Sequence, residues 1–208
     1  MISVFSYWPF NLVETTNKRI FSYTDKTGTV PSFRSEFYYD FGSKQLVCAD
    51  YVNGIWTDDW RMIYDPNRGV AEVADWYPQN NSLLASLFGP TKKQILSSPI
   101  LWGNEVEIGQ IVTNSPSYNT FASTPPIIGT GFQSVLFEAL LPSLTLASGK
   151  EYPNVLQFSY AQTWRGVTKG ARYWMAEGVG PIAISWLGFG PAGNITVTEP
   201  RCDAVITG

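Results

Sequence analysis

At 208 residues the chain can form one large domain, which buries roughly 70% of its unfolded surface without metals or several disulfides. Apolar residues make up 44%, aromatics 15% and charged residues 15%, so the chain folds, and a net charge of −3 with no basic stripe argues against nucleic acid as a partner. Histidine is absent, which removes imidazole bases, Ser-His and Cys-His pairs and histidine-held metals.

The N-terminal "MISVFSYWPFN" has no basic region, no leader-length apolar run and no cleavage pattern. Nowhere do about 18 consecutive apolar residues occur, so no transmembrane segment is expected. The setting is periplasmic or extracellular if a leader has been removed, and virion or cytoplasmic otherwise.

From residue 33 the pattern is that of strands. In "SEFYYDF" Phe37, Tyr39 and Phe41 alternate with Glu36, Tyr38 and Asp40, as in a half-buried strand. Gly42-Ser43 turns the chain into "KQLVCADYV", and Asn53-Gly54 turns it into "IWTDDWRMIYD" with a strong hairpin signal. "DPNRG" then leads into "VAEVADWYP", so residues 33–78 predict an antiparallel meander. Leu83, Leu84, Leu87 and Phe88 stand at helical spacing before Gly89-Pro90, predicting one or two short helices within 81–98.

"NEVEIGQIVTN" returns to strand, and the Ser, Thr, Pro and Gly-rich stretch 115–131 predicts a long surface loop. Residues 134–164, 170–180 and 181–188 then read as a second meander, with "RGVTKG" as a turn, closed by "NITVTEPRCDAVI". The expected fold is mainly β: a strongly curved antiparallel sheet, an open or half barrel of two meanders, in a single domain 1–208 with halves at 1–100 and 101–208.

Few residues suggest chemistry. "GFGPAG" matches a dinucleotide fingerprint as text, but strand-like sequence surrounds Pro191 where a helix should open. Glu105 and Glu107 share a strand face about 7 Å apart, within the range for inverting glycosidases, yet such a pair normally belongs to a solvated face. Asp58 and Asp59 are adjacent and point to opposite faces, which disfavours a dyad. Cys48 and Cys202 are the only cysteines, either one long-range disulfide or two separate thiols. No catalytic group, metal site or cofactor is expected.

In "GARYWMAEGVGPIAIS", Tyr173 and Met175 face one side and Trp174 and Ala176 the other. Gly178 and Gly180 allow positive φ or a bulge, and Pro181 interrupts ladder pairing, so Gly178, Gly180 and Pro181 read as a corner of a coiled sheet. Together with Gly149, Tyr152, Val155 and Leu156 in "SGKEYPNVLQF", this stretch resembles a recurring pattern of exported bacterial proteins. There a G-x-[FY]-x-x-V/C-L strand precedes a YW-x-A-x-GVG-x-[VI] strand. The resemblance covers about a fifth of the chain. It implies a fold similar to the lipoprotein-carrier type, an open barrel wrapped around one or more helices.

The eight tryptophans read first as core. If the barrel stays open they line an apolar cavity, with Trp56, Trp60, Tyr160, Trp164 and Trp174 nearest the ligand. Two functions follow. One is a non-enzymatic extracytoplasmic carrier or binding module for an apolar or lipid-like small molecule. The other is a structural assembly protein of a virion or cell surface, whose aromatic faces and loops meet protein subunits.

Overall fold

The computed structural model describes residues 1–25, 32–76, 93–120, 127–164, 167–191 and 202–208. The chain opens with a short strand β1 (Ile2–Ser3) and two single turns of 3-10 helix, Val4–Tyr7 and Phe10–Leu12. Strands β2 (Lys18–Asp25), β3 (Phe33–Asp40), β4 (Gln45–Val52), β5 (Ile55–Asp65), β6 (Gly69–Trp76) and β7 (Lys93–Gly103) follow. After β8 (Glu105–Val106), β9 (Ile111–Asn114) and β10 (Ser117–Thr120) come the long β11 (Ile127–Thr145) and β12 (Glu151–Trp164). β13 (Val167–Ala176), β14 (Gly180–Pro191) and β15 (Cys202–Thr207) complete the chain.

All but β1 and β8 belong to one antiparallel sheet of 13 strands, in the order β10-β7-β6-β5-β4-β3-β2-β15-β14-β13-β12-β11-β9. Because β10 bonds β7 on one side and β11 on the other, the sheet meets itself and forms a barrel. The barrel is nearly closed: the β10 pairings cover one of the two edges that an open sheet of this length would expose, and β9 ends the other. The C-terminal strand joins the halves: β15 pairs with β14 and with β2, Thr207 opposite Ile20.

The turns follow from their residues. Asn53 and Gly54 both adopt positive φ (51° and 77°), as a two-residue hairpin turn with the sheet's own twist requires. At "DPNRG" the Asp65 carboxylate accepts the backbone N–H of Asn67 at 2.9 Å, and Gly69 lies so close to the Gly103 carbonyl that no side chain fits. Register shifts in β4–β5, β5–β6, β6–β7, β11–β12 and β13–β14 supply the curvature.

Three sequence expectations change. Of the helix sought in 81–98, residues 81–92 lie outside the described residues, and 93–98 are strand β7. No α-helix occurs among the described residues, only the two 3-10 turns. Within the loop expected at 115–131, residues 117–120 and 127–131 are strands. There Tyr118, Asn119 and Thr120 pair with Gly129, Ile128 and Ile127, so pairing partners override a turn-rich composition. Of the turn read in "RGVTKG", residues 167–170 are the start of β13.

The glycines of the expected corner have φ of 69° and 115° and lie at the hairpin turn that joins β13 to β14, while Pro181 keeps a place in the ladder opposite Met175. The turn also seats the N-terminus. Arg19 donates to the carbonyls of Gly178 (3.1 Å) and Val179 (2.6 Å), and the Gly178 N–H bonds the Ser6 carbonyl at 2.7 Å. A methyl at Gly180 would stand 3.1 Å from the Phe21 ring and 3.5 Å from Pro9, so the glycine is what lets the N-terminal segment close the base of the barrel. Trp8 there packs on Trp102 (5.5 Å) and Phe37 (6.5 Å), and Val4, Tyr7, Phe10 and Leu12 join the same core.

Strand alternation sorts the interior into layers. Phe21, Phe37, Leu46, Met62, Phe137, Leu156 and Met175 form a fully buried apolar layer above the N-terminal segment. Trp60, Trp102, Phe158, Tyr160 and Tyr173 form an aromatic layer, with Trp60 stacked on Trp102 (6.1 Å, 10°) and Tyr160 on Tyr173 (6.0 Å, 20°). Toward the ends of β4, β6 and β12, the inward positions are polar: Ser35, Asp50, Asp58, Asp75, Gln162 and Lys169.

Candidate functional site

An apolar cleft lies at the base, between the N-terminal segment and β3–β5. It holds about 520 Å³ and is lined by Phe5, Phe10, Val13, Tyr39, Leu46, Met62, Ile63 and Tyr64, with Lys44 as its one charged group. Leu46 and Met62 are core side chains that give it a rigid floor, 1% and 0% exposed. Phe5 stacks on Phe10 (5.1 Å) and leans on Tyr64 (4.4 Å), so the wall supplied by the N-terminus is held by ring contacts to β5. Lys44 sits in the β3–β4 turn at φ 56°, which places an ammonium group at the rim. A smaller cleft of about 310 Å³ lies on the other side of the same segment, beside Ser6, Asn11 and Gly178.

The residues expected around a ligand divide. Trp60 and Tyr160 meet inside the barrel, edge to face at 6.4 Å. Trp56 pairs with Tyr51 on the outer face, its indole N–H given to the Asp58 carbonyl at 3.0 Å. Trp174 packs outside, in a separate cluster with Leu146, Tyr152 and Val155, and donates to Gln157 at 3.0 Å. Trp164 ends β12 opposite Gly131 and Val167, and its side chain lies outside the described residues. Cys48 and Cys202 are both buried, and no disulfide joins them in the structure. Glu105 and Glu107 are exposed, and residues 188–191 of the glycine motif lie in strand β14 with no helix following within it.

The sequence reading missed the carboxylates inside the barrel. Asp58 and Asp59 do face opposite ways, but Asp58 finds partners on other strands: it is the direct cross-strand partner of Asp50 and its carboxyl contacts that of Asp75. Glu72, opposite Met62 on β6, joins them. Asp50, Glu72 and Asp75 are 7%, 4% and 8% exposed. Burial pushes the Asp50 carboxyl up to about 7, opposed by the Ser35 hydroxyl bonded to it at 2.6 Å. Burial raises Glu72 to about 8 and Asp75 well above its ordinary value, Asp58 adding to both and Lys169 opposing. Tyr160 lies close enough to all four carboxyls for each to raise its phenol further, burial being the main cause. The clue in the sequence is acids at inward strand positions, 50, 58, 72 and 75, among inward apolar residues.

A second ionic cluster lies on the outer face. Arg61 bonds Asp40 at 2.7 Å and Asp59 at 3.3 Å and stacks over the Trp76 ring at 3.2 Å. Every charge in it faces an opposite charge or a ring face, so it holds β3, β5 and β6 together. No group of three or more His, Cys, Asp or Glu residues among the described residues is arranged to hold a metal ion.

The fold and clefts define an antiparallel β-barrel with a short N-terminal plug and a basal apolar cleft. No protein-family model, no curated protein and no solved structure matches the chain.

Proposed function

We propose that the protein is a non-enzymatic, carrier-like binding barrel of the extracytoplasmic space that holds an apolar, lipid-like ligand. The observation that carries this reading is the 520 Å³ basal cleft, eight of whose nine lining side chains are aliphatic or aromatic. Its size lies within the range of about 300–1,000 Å³ common for small-molecule sites. Lys44 at the rim suits an anionic head group, leaving the apolar body of the ligand against Phe5, Phe10 and Met62. The extracytoplasmic setting is supported by the resemblance of residues 149–182 to exported bacterial proteins.

The test is native mass spectrometry of the gently purified protein before and after organic extraction, with a fluorescent fatty acid as probe. A monomer with extractable extra mass is expected, and Val13→Trp, which fills the cleft, should abolish probe binding while Lys44→Met weakens it several-fold. A ligand-free oligomer, or probe binding untouched by Val13→Trp, overturns the reading.

One observation favours a structural assembly role as the second reading. On the β9–β11 wall Ile111, Phe132 and Leu140 are 59%, 48% and 45% exposed, a dispersed apolar surface suited to subunit contact. Loss of oligomers in Phe132→Lys would support that reading.

A further inference from the structure

We infer that the polar layer inside the barrel is a second binding site, for a small organic ammonium ion with an aromatic or aliphatic body. Four carboxyl groups, from Asp50 on β4, Asp58 on β5, and Glu72 and Asp75 on β6, gather in one part of the interior. Lys169, opposite Gln162 on β13, is the one basic side chain of that layer among the described residues, so acid outnumbers base.

The layer is incompletely satisfied. Neither Asp58 Oδ1 nor Asp75 Oδ1 receives a hydrogen bond from an N–H or hydroxyl group of the described protein, although both atoms are buried. Asp75 as a whole is 8% exposed. Leaving buried acceptors without donors is costly, and a guest that brings N–H donors and positive charge removes that cost. From β11, Gln133 presents an amide nitrogen that is likewise buried without an acceptor, its carbonyl oxygen being taken by Gln162 at 2.7 Å. A cationic guest favours the ionised carboxyls, which then cannot satisfy one another, since carboxylates only accept.

Beneath the carboxyls lies an aromatic floor. Tyr160 stands at 6.4 Å from Trp60 and 5.2 Å from Trp102, and Tyr173 at 6.4 Å from Trp60. Ring faces attract cations, and rings together with carboxylates form the usual cage for an ammonium group. Asp58, Lys169 and Trp60 are only half-buried, whereas Phe21, Phe37 and Met62 are fully buried, so these first three are the members of the site that solvent reaches. A bare metal ion is the poorer occupant, since the acids lack metal-binding geometry. This site is distinct from the basal cleft: none of its carboxyls lines that cleft.

The probe is benzylamine, with benzyl alcohol as its uncharged counterpart, titrated at neutral pH and followed by calorimetry and tryptophan fluorescence. The amine should bind at least ~10-fold more tightly than the alcohol, because only the amine brings a positive charge and several N–H donors to the carboxyl groups. Asp75→Asn and Asp58→Asn should each weaken the amine about 10-fold, while Lys169→Met, which removes the competing charge, should strengthen it several-fold. Equal affinity for amine and alcohol, no binding of either, or amine affinity unchanged in both asparagine variants overturns the proposal. Should either asparagine variant fail to fold, Lys169→Met still decides: unchanged or weakened amine binding overturns it.

Discussion

Asp50 and Asp58 are direct cross-strand partners on β4 and β5, both turned into the barrel, an arrangement of like charges that a sheet normally avoids. Asp50 is buried, and its carboxyl titrates near 7 in the folded protein, with the Ser35 hydroxyl, Cys48 thiol, Asp58 and Lys169 around it. An unfolded aspartate titrates near about 3.9. The folded state therefore holds the proton more tightly. The stabilisation is fully present below about pH 4 and is lost as pH rises through about 7, amounting to about 4 kcal/mol. Asp50→Asn should unfold at higher urea than the parent above pH 7, and the gap should vanish near pH 4. A gap independent of pH would refute the assignment.

Asp40 titrates in the opposite sense. The Arg61 guanidinium and the Ser43 hydroxyl bonded to it hold its carboxyl down to about 2. Its contribution is complete above the unfolded value near about 3.9 and is lost as pH falls through about 2. Because Arg61 is 4% exposed at its side chain and serves Asp40, Asp59 and Trp76 together, Arg61→Met should cost about 3 kcal/mol in urea unfolding at pH 7. Arg61→Lys should recover little of it, since an ammonium cannot bond both carboxylates and lie flat on the indole.

Cys48 and Cys202, 3% and 1% exposed, should be unreactive toward a thiol reagent in the native protein and both react after unfolding without reductant. Burial raises the Cys48 thiol well above its ordinary value, and Asp50 raises it further, so little thiolate exists at neutral pH. A chain that gives no free thiols in urea without reductant would contain a disulfide instead.

Much of this architecture is legible in the residues themselves. The strands over 33–76, the Asn53-Gly54 hairpin and the positive φ at Gly178 and Gly180 follow from local rules, and they stand in the structure. What local rules cannot supply is closure. The pairing of β10 with both β7 and β11 depends on partners far away in sequence, while the composition of 115–131 points to a loop. Trp56 and Trp174 escape the expected cavity for a related reason: a strand has two faces, and an aromatic side chain covers the outside of this barrel as readily as it fills the inside. Acids at inward positions stay hidden as long as Asp58 is weighed only against its neighbour Asp59. Its partners Asp50 and Asp75 lie on the flanking strands.

The corner can be tested with a pair of substitutions that differ in surroundings more than in backbone. Gly178 has φ 69° and no atom within 4 Å of where a methyl would stand, so Gly178→Ala costs only backbone strain, about 1 kcal/mol. Gly180 has φ 115°, outside the region any L residue enters readily, and its methyl would press on Phe21 at 3.1 Å and Pro9 at 3.5 Å. Relief requires Pro9 to back away, which loosens Trp8 from Trp102 and Phe10 from the cleft wall. Gly180→Ala should therefore cost about 3 kcal/mol and also weaken fatty-acid probe binding in the basal cleft, whereas Gly178→Ala leaves binding intact. Urea unfolding and probe titration of the two variants read both effects. If Gly180→Ala destabilises the fold yet binds the probe as the parent does, the N-terminal segment is seated independently of this corner.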